Sequence, residues 1–298
     1  MTAHAASQSV VSVIVPVWNG EDTIAGCLDS LQRQAFPAEK TQIIVVDNGS
    51  TDSTLEIVRR FENVLLLNEP VPSSYRARNR GLARATGDFI AFIDADCAAE
   101  PGWIEAGVKA LQAQPNVGVA AGHVRLVPVP EGPSSRAAFL YEEMFAFRQQ
   151  KSAQLGQSVT ANWMSPRSIF DAVGEFDPEL KSGGDLDLSE RIVKAGATVR
   201  YVPDMVVCHP TRGSISELVS KRRRVIGGIW SRNGQQQGVV RLSVFVLVEA
   251  ARRGARALIA KEYSVIDRLR VSFLLIGLAA IGLLELARLR MGGEPRRS

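Results

Sequence analysis

The apolar residues of this chain follow two spacings. In the first half, short aliphatic and β-branched runs, Val10 to Val15, Gln42 to Val46, Val64 to Leu67, Phe89 to Ile93 and Val117 to Ala121, alternate with segments whose apolar positions recur at helical intervals. The segment "DTIAGCLDSLQRQ" puts Ile24, Cys27, Leu28 and Leu31 on one helical face, with Asp22 as N-cap and Pro37 beyond the end, and "STDSTLEIVRRF" repeats the arrangement. Strand, helix and strand in this order predict βαβ crossovers, and hence an α/β fold with a mainly parallel sheet flanked by helices.

The prolines of "VPVPEGPSS", Val127 to Ser135, interrupt the alternation and mark an internal linker. Beyond it, "RAAFLYEEMFAFRQQ" reads as an aromatic-rich helix and "ANWMSPRSIFDAVGEFDPEL" as a short strand, a turn, a helix and a loop. In "DLDLSERIVKAG" the acidic residues of the first turn suit the helix dipole, and Gly196 stands where a helix would end.

Polar residues cluster where the predicted strands stop. Pro16-Val17-Trp18-Asn19 follows the first, Asp47-Asn48-Gly49-Ser50 the second and Asp94-Ala95-Asp96 the fourth. Ligands bind an open parallel sheet at this edge. Two carboxylates on one strand-end turn suit a hard cation such as Mg²⁺ or Mn²⁺, although helix capping or turn formation would place aspartates there too. Asp47 suits hydrogen bonds from a base N–H or ribose hydroxyls, or else only shapes its turn. The first strand lacks Gly-x-Gly-x-x-Gly and no Gly-Lys-Ser/Thr loop occurs, which disfavours a dinucleotide enzyme and an ATPase.

Composition changes the picture mainly at the carboxyl-terminal end. The net charge is only +4, yet basic residues concentrate in Lys221 to Arg224 and Arg252 to Arg256, which suggests an anionic partner. An uncharged run, Val271 to Leu284, lies among them; it is shorter than the ~20 residues of a bilayer crossing and suits an interfacial or buried helix. That favours a membrane surface over nucleic acid as the partner. The amino terminus reads as a flexible tail without secretory features, and the odd, dispersed cysteines Cys27, Cys97 and Cys208 suit a reducing compartment. The expected location is cytoplasmic, peripheral to the inner face of the cell membrane.

Taken in order, "VSVIVPVWNGEDTI", "IIVVDNGSTDST", "ARNRGLARATGDFIAFIDADC", "VGEFDPEL" and "GGDLDLSERI" resemble the family 2 glycosyltransferases, inverting enzymes of GT-A fold that use nucleotide-sugar donors. The resemblance implies that Pro16 and Val17 contact the donor base, with Asn19 and Glu21 on the following turn, and that Asp47 hydrogen-bonds uracil or its equivalent. It places Arg78 and Asn79 beside the nucleotide, and Asp94, Ala95 and Asp96 as the metal-binding motif, with Asp96 the direct ligand of Mn²⁺ or Mg²⁺. His209 in "VVCHPTRGS" is implied as a further metal ligand, and Asn162, Trp163 and Gly184 as acceptor contacts. Asp185 is the implied catalytic base, although Gly184 stands where the family motif has glutamate, and the Gly183-Gly184 pair is expected to loosen the loop.

The donor so implied is a UDP-, GDP- or dTDP-sugar, and the acceptor a glycan or lipid-linked molecule in cell-envelope or exopolysaccharide assembly. A non-catalytic nucleotide-sugar-binding scaffold is the alternative, on the strength of the missing glutamate. The expected organisation is a tail over 1–9, a nucleotide-sugar-binding half over 10–125, an acceptor-binding and catalytic half over 126–213 and a basic, apolar helical extension over 214–298. Arg212, Lys221 and the arginines after it are expected to face phosphate or lipid headgroups.

Overall fold

A computed structural model describes residues 10–128 and 135–295; the predicted tail over 1–9 and most of the proline-rich linker fall outside the described residues. The first half builds β1 (Val11–Val17), α1 (Ile24–Gln32), β2 (Thr41–Asp47), α2 (Thr54–Val58), β3 (Val64–Asn68), α3 (Ser74–Leu82), β4 (Phe89–Ile93), β5 (Ala98–Ala99), α4 (Trp103–Ala113) and β6 (Val117–Val127). There follow α5 (Arg136–Phe145), α6 (Gln149–Gln154), β7 (Asn162–Pro166), α7 (Arg167–Val173), α8 (Gly184–Lys194), β8 (Thr198–Pro210), α9 (Ile215–Ile259) and α10 (Val265–Arg290).

The strands form one sheet in the order β3-β2-β1-β4-β7-β6-β8-β5. β1 pairs in parallel with β2 and β4, and β3 extends the parallel half beside β2. β7 enters antiparallel between β4 and β6, so the second half is mixed. Continuous burial from Val11 to Val15 and from Ile90 to Ile93 explains why these segments read as unbroken apolar runs, because a central strand covered on both faces has no solvent side to make polar.

Helix α1 begins at Ile24 with Thr23 at its N-cap, and the Gly20 carbonyl accepts from the Thr23 and Ile24 N–H groups, so Asp22 is not its cap. Helix α3 is capped by the Ser73 hydroxyl, which accepts from the Arg76 N–H at 3.3 Å. Its Gly81 lies so close to β1 that a Cβ there would stand 2.5 Å from Ile14 Cγ2. That close approach of helix to sheet fixes where Arg78, one turn earlier, can reach.

Two compact units emerge, and they are not contiguous in sequence. One comprises residues up to Arg125 with Arg148–Pro178 and Gly184–His209; the other comprises Leu126–Phe147, Glu179–Gly183 and Pro210–Ser298. In the second unit, α9 is two helical limbs that meet at Gly238, whose φ of 69° is non-helical. Ile226 of the first limb and Leu242 and Val246 of the second pack with Ala279, Leu286 and Leu289 of α10, while Leu218 packs with Leu274 and Leu278. This register runs the two limbs antiparallel and lays α10 along both. α5 completes the core through Leu140, which clusters with Ala257, Val271 and Leu275.

The structure reassigns two predicted acceptor contacts. Asn162 is fully buried; its Oδ1 accepts from Trp103 Nε1 at 2.7 Å, and its Nδ2 donates to the His123 and Met205 carbonyls at 2.8 Å each. Trp163 is equally buried and donates from its indole to Ser165 Oγ. Neither side chain reaches a surface that an acceptor could touch, because both are used to satisfy core polar groups. Replacing Asn162 by Ala strands one N–H and two carbonyls, so Asn162→Ala should lower the free energy of unfolding by roughly 2–4 kcal/mol, read as a lower midpoint in urea.

Candidate active site

The β1 and β2 ends are tied together by reciprocal loop contacts. The Asp47 carboxylate accepts from the Gly49 and Ser50 N–H groups, shaping the turn it begins. Asn19, in the left-handed region at φ 48°, accepts at Oδ1 from the Thr51 N–H and donates its own N–H to Ser50 Oγ. Glu21 accepts from the Ser53 N–H. Both predicted donor contacts therefore brace the 50–54 loop, while Pro16 is half-buried, Val17 is buried and Trp18 is exposed at the strand end.

Asn48, read from the sequence only as part of the strand-end turn, is the strut of this edge. Its Nδ2 donates to the Glu69 and Val71 carbonyls and its Oδ1 accepts from the Ser73 N–H, all at 2.8 Å. It thus aims the start of α3, whose Arg78 crosses to the end of β4. There Arg78 Nη2 donates to Asp94 Oδ1 at 2.7 Å and Nη1 to the Ser74 carbonyl, leaving a buried Nε without a hydrogen-bond partner among the described residues. Asn79 is committed elsewhere: its amide exchanges hydrogen bonds with both backbone groups of Phe176 and holds the "GEFDP" loop.

Asp96 is joined by a residue far away in sequence. β5 pairs antiparallel with β8, Ala98 opposite Cys208 and Ala99 opposite Val207, and continuing that register brings His209 alongside Cys97. His209 Nε2 lies 3.4 Å from Asp96 Oδ2, with the imidazole buried and the carboxylate partly open to solvent. Ligand atoms of Asp96, Cys97 and His209 lie within 4.8 Å of one another. The carboxylate oxygen suits Mn²⁺ or Mg²⁺, and the imidazole nitrogen beside it favours Mn²⁺ of the two, so the residues fit such an ion. Burial, with the Asp94 and Asp96 charges, pushes the Cys97 thiol well up, which keeps it protonated and unsuited to a hard cation.

Asp185 sits in the first turn of α8 and keeps some solvent exposure. Burial pushes its carboxyl above the ordinary range; the Leu186 N–H donating to Oδ1 at 3.0 Å and the Arg78 charge pull the other way without cancelling it. Asp94 adds to the upward push, so the charges of Arg78 and Asp94 both act on this carboxylate. A carboxylate with raised proton affinity is what a general base requires.

The Gly183-Gly184 pair is packed, not loose. The Gly184 N–H donates to Tyr75 Oη at 2.8 Å, and a Cβ on Gly184 would stand 2.7 Å from that ring. Gly184 is buried and so offers no surface to an acceptor, and the tyrosine occupies the space a glutamate's first carbon would need. Arg212 and Lys221 are likewise committed. Both pair with the fully buried Glu142, at 2.9 and 3.1 Å, and burial together with the Arg212 charge pushes the Lys221 amine down to about 8. They neutralise a core carboxylate instead of facing a phosphate.

Comparison with known proteins fits this geometry. The family model "Glycosyl transferase family 2" matches residues 12–174. Glycosyltransferase AglE of Haloferax volcanii is 33% identical over 222 residues, covering 72% of this chain and 71% of that protein. The pre-mycofactocin glycosyltransferase of Mycobacterium tuberculosis is 28% identical over 294 residues, and there the match covers 88% of this chain but 61% of the relative. Among solved structures, the mannosyltransferase PcManGT of Pyrobaculum calidifontis, in complex with GDP-Man and Mn²⁺, superposes with a TM-score of 0.57 at 20% identity, covering 96% of this chain and 76% of that one. Residues 1–349 of TarS from S. aureus, in complex with UDP-GlcNAc, give 0.55 at 18% identity, covering 96% and 93%. At such identities these two establish the fold. The sequence matches establish more: the chain belongs to glycosyl transferase family 2.

Proposed function

We propose that this family 2 glycosyltransferase is a metal-dependent inverting enzyme that moves a sugar from a UDP-, GDP- or dTDP-sugar to a hydroxyl of a glycan or lipid-linked acceptor, in cell-envelope or exopolysaccharide assembly. The observation that carries the reading is the placement of Asp96 against His209, with Asp94 on Arg78 and Asp185 within reach of the same charges. Support also comes from the GDP-Man, UDP-GlcNAc and Mn²⁺ bound by proteins of this fold.

Asp185 takes the proton of the acceptor hydroxyl as that oxygen attacks the anomeric carbon. Attack on the face opposite the leaving diphosphate inverts the centre. Arg78, already charge-paired, orients Asp94 toward the donor side. Asp96 and His209 would hold the divalent cation, and when bound it supplies charge stabilisation for the departing diphosphate. Asp47 and the Pro16–Val17 segment form the proposed base-binding edge.

A membrane surface is proposed as the place of action, peripherally and from the cytoplasmic side. α10 is the one helix among the described residues long and apolar enough to cross a membrane by length and composition, yet 44% of its most apolar window is buried against the protein. Its opposite side exposes Ile266, Leu269, Phe273, Ile276 and Leu284, near Arg268, Arg270, Arg288 and Arg290. An apolar stripe with basic flanks is the pattern of a helix lying in the headgroup plane.

Five outcomes are expected. Melting-temperature shifts measured across UDP-, GDP- and dTDP-sugars should show stabilisation by one nucleotide class that increases when Mn²⁺ is added; no stabilisation by any of them contradicts the donor assignment. Asp185→Asn should cut transfer roughly 10²–10⁴-fold. Wild-type activity should fall on acidification through a pKa above the ordinary ~4 of a carboxyl, because the base must be ionised. The sign for stability is opposite: the unfolded Asp185 ionises first, so the native state loses stability as pH rises through the raised pKa. Asp185→Asn, which escapes that loss, should melt above wild type at pH 7 and lose the advantage near pH 4. Finally, the full chain should float with vesicles containing anionic lipid, and Phe273→Asp should weaken that flotation; a chain that never floats rules out membrane docking.

A further inference from the structure

The segment immediately before α8 is held by a side chain that no motif pointed to. Arg232, on the first limb of α9, donates from Nη2 to the Gly183 carbonyl at 2.7 Å and to the Ser182 carbonyl at 3.2 Å. Its Nε is buried without a hydrogen-bond partner among the described residues, so the guanidinium is enclosed while two backbone acceptors take its terminal nitrogen. Gly183 adopts φ +78°, and a Cβ there would stand 1.9 Å from Arg232 Nη2. Glycine and arginine are therefore matched: a side chain at 183 would displace the guanidinium.

One turn earlier on α9, Gly228 supplies the second half of the grip. A Cβ on Gly228 would lie 2.3 Å from Ser182 Cβ and 3.0 Å from the Ser182 nitrogen, so the helix backbone rests directly on the segment. Residues 182–183 are thus fixed by packing at Gly228 and by hydrogen bonding at Arg232, four residues apart on one helical face. The next residue, Gly184, opens α8, and the one after it is Asp185.

We infer that Arg232 is a positioning residue for the catalytic base: by capturing the Ser182 and Gly183 carbonyls it sets the path along which α8 begins and so the place of the Asp185 carboxylate. The inference rests on Asp185 being the base. Its physical content is that a base displaced by a fraction of its hydrogen-bond reach loses rate while the donor, held by other residues, binds as before.

The test uses the full chain with the UDP-, GDP- or dTDP-sugar that stabilises it, and compares Arg232→Ala, Arg232→Lys, Gly228→Ala and Asp185→Asn. Arg232→Ala should lower kcat roughly 10- to 100-fold with donor KM within about twofold of wild type. Arg232→Lys, which keeps a donor but loses the fork, should recover part of the rate. Gly228→Ala, which leaves Arg232 in place but pushes on Ser182, should show the same split. Hydrogen exchange should quicken at residues 184–188 in Arg232→Ala and stay unchanged in β1 and β2. Wild-type kcat in Arg232→Ala, unaltered exchange at 184–188, or a rise in KM that accounts for the lost activity would each overturn the inference. If Arg232→Ala does not fold, Gly228→Ala decides by the same criteria. Asp185→Asn separates the two levels: full transfer by that variant removes the base assignment itself, whereas an inactive Asp185→Asn beside an unaffected Arg232→Ala removes only the positioning role.

Discussion

The turn after the buried central strand β4 presents two carboxylates, Asp94 and Asp96, and the rest of the site is arranged around that charge. Unpaired carboxylates at such a place are costly, so each needs a compensating group. Asp94 obtains it from Arg78, delivered by α3, and that delivery depends on Gly81 letting the helix settle onto β1. Asp96 faces His209, delivered by the antiparallel pairing of β5 with β8. Both pairs bury the basic partner, Arg78 or His209, and leave the carboxylate partly open to solvent, 34% for Asp94 and 39% for Asp96.

Other polar groups near these pairs are closed off by protein partners. Asn48, Asn79 and Asn162 all use their amides on backbone or core partners, and so define loop paths and strand contacts. Glu142 is closed by Arg212 and Lys221. Asp185 differs, since its carboxylate accepts from local backbone N–H groups, that of Leu186 among them, and remains raised in proton affinity by burial. Its backbone neighbours are fixed by Tyr75 and Arg232. A held backbone and a carboxylate of raised proton affinity suit the role proposed for Asp185.

What the sequence made legible follows from how local each signal is. Phe89 to Ile93 was readable to the residue, because a buried strand bounded by Gly-Asp and Asp-Ala-Asp has little freedom in its ends. Gly196 at φ +89° closes α8 as its position implied. Asn162 and Trp163 misled because a polar residue beside an aromatic looks the same in sequence whether it meets a ligand or a buried indole. The convergence of Asp96 and His209 has no local signature at all, and came into view only through the family resemblance. Gly183-Gly184 read as slack because glycine is permissive in isolation; the packing of Tyr75 and Arg232 against it is a tertiary fact. Arg232 was invisible for the same reason, and Asn48, legible as a turn residue, gave no sign of its contacts with Glu69, Val71 and Ser73.

The central claim is that Asp96 and His209 together make a divalent cation site that works with a nucleotide. Mn²⁺ affinity, titrated calorimetrically in the presence of UDP or GDP, tests it most directly. Asp96→Asn and His209→Ala should each weaken Mn²⁺ binding by roughly tenfold or more while the fold stays intact. Wild-type Mn²⁺ affinity in both variants would contradict it.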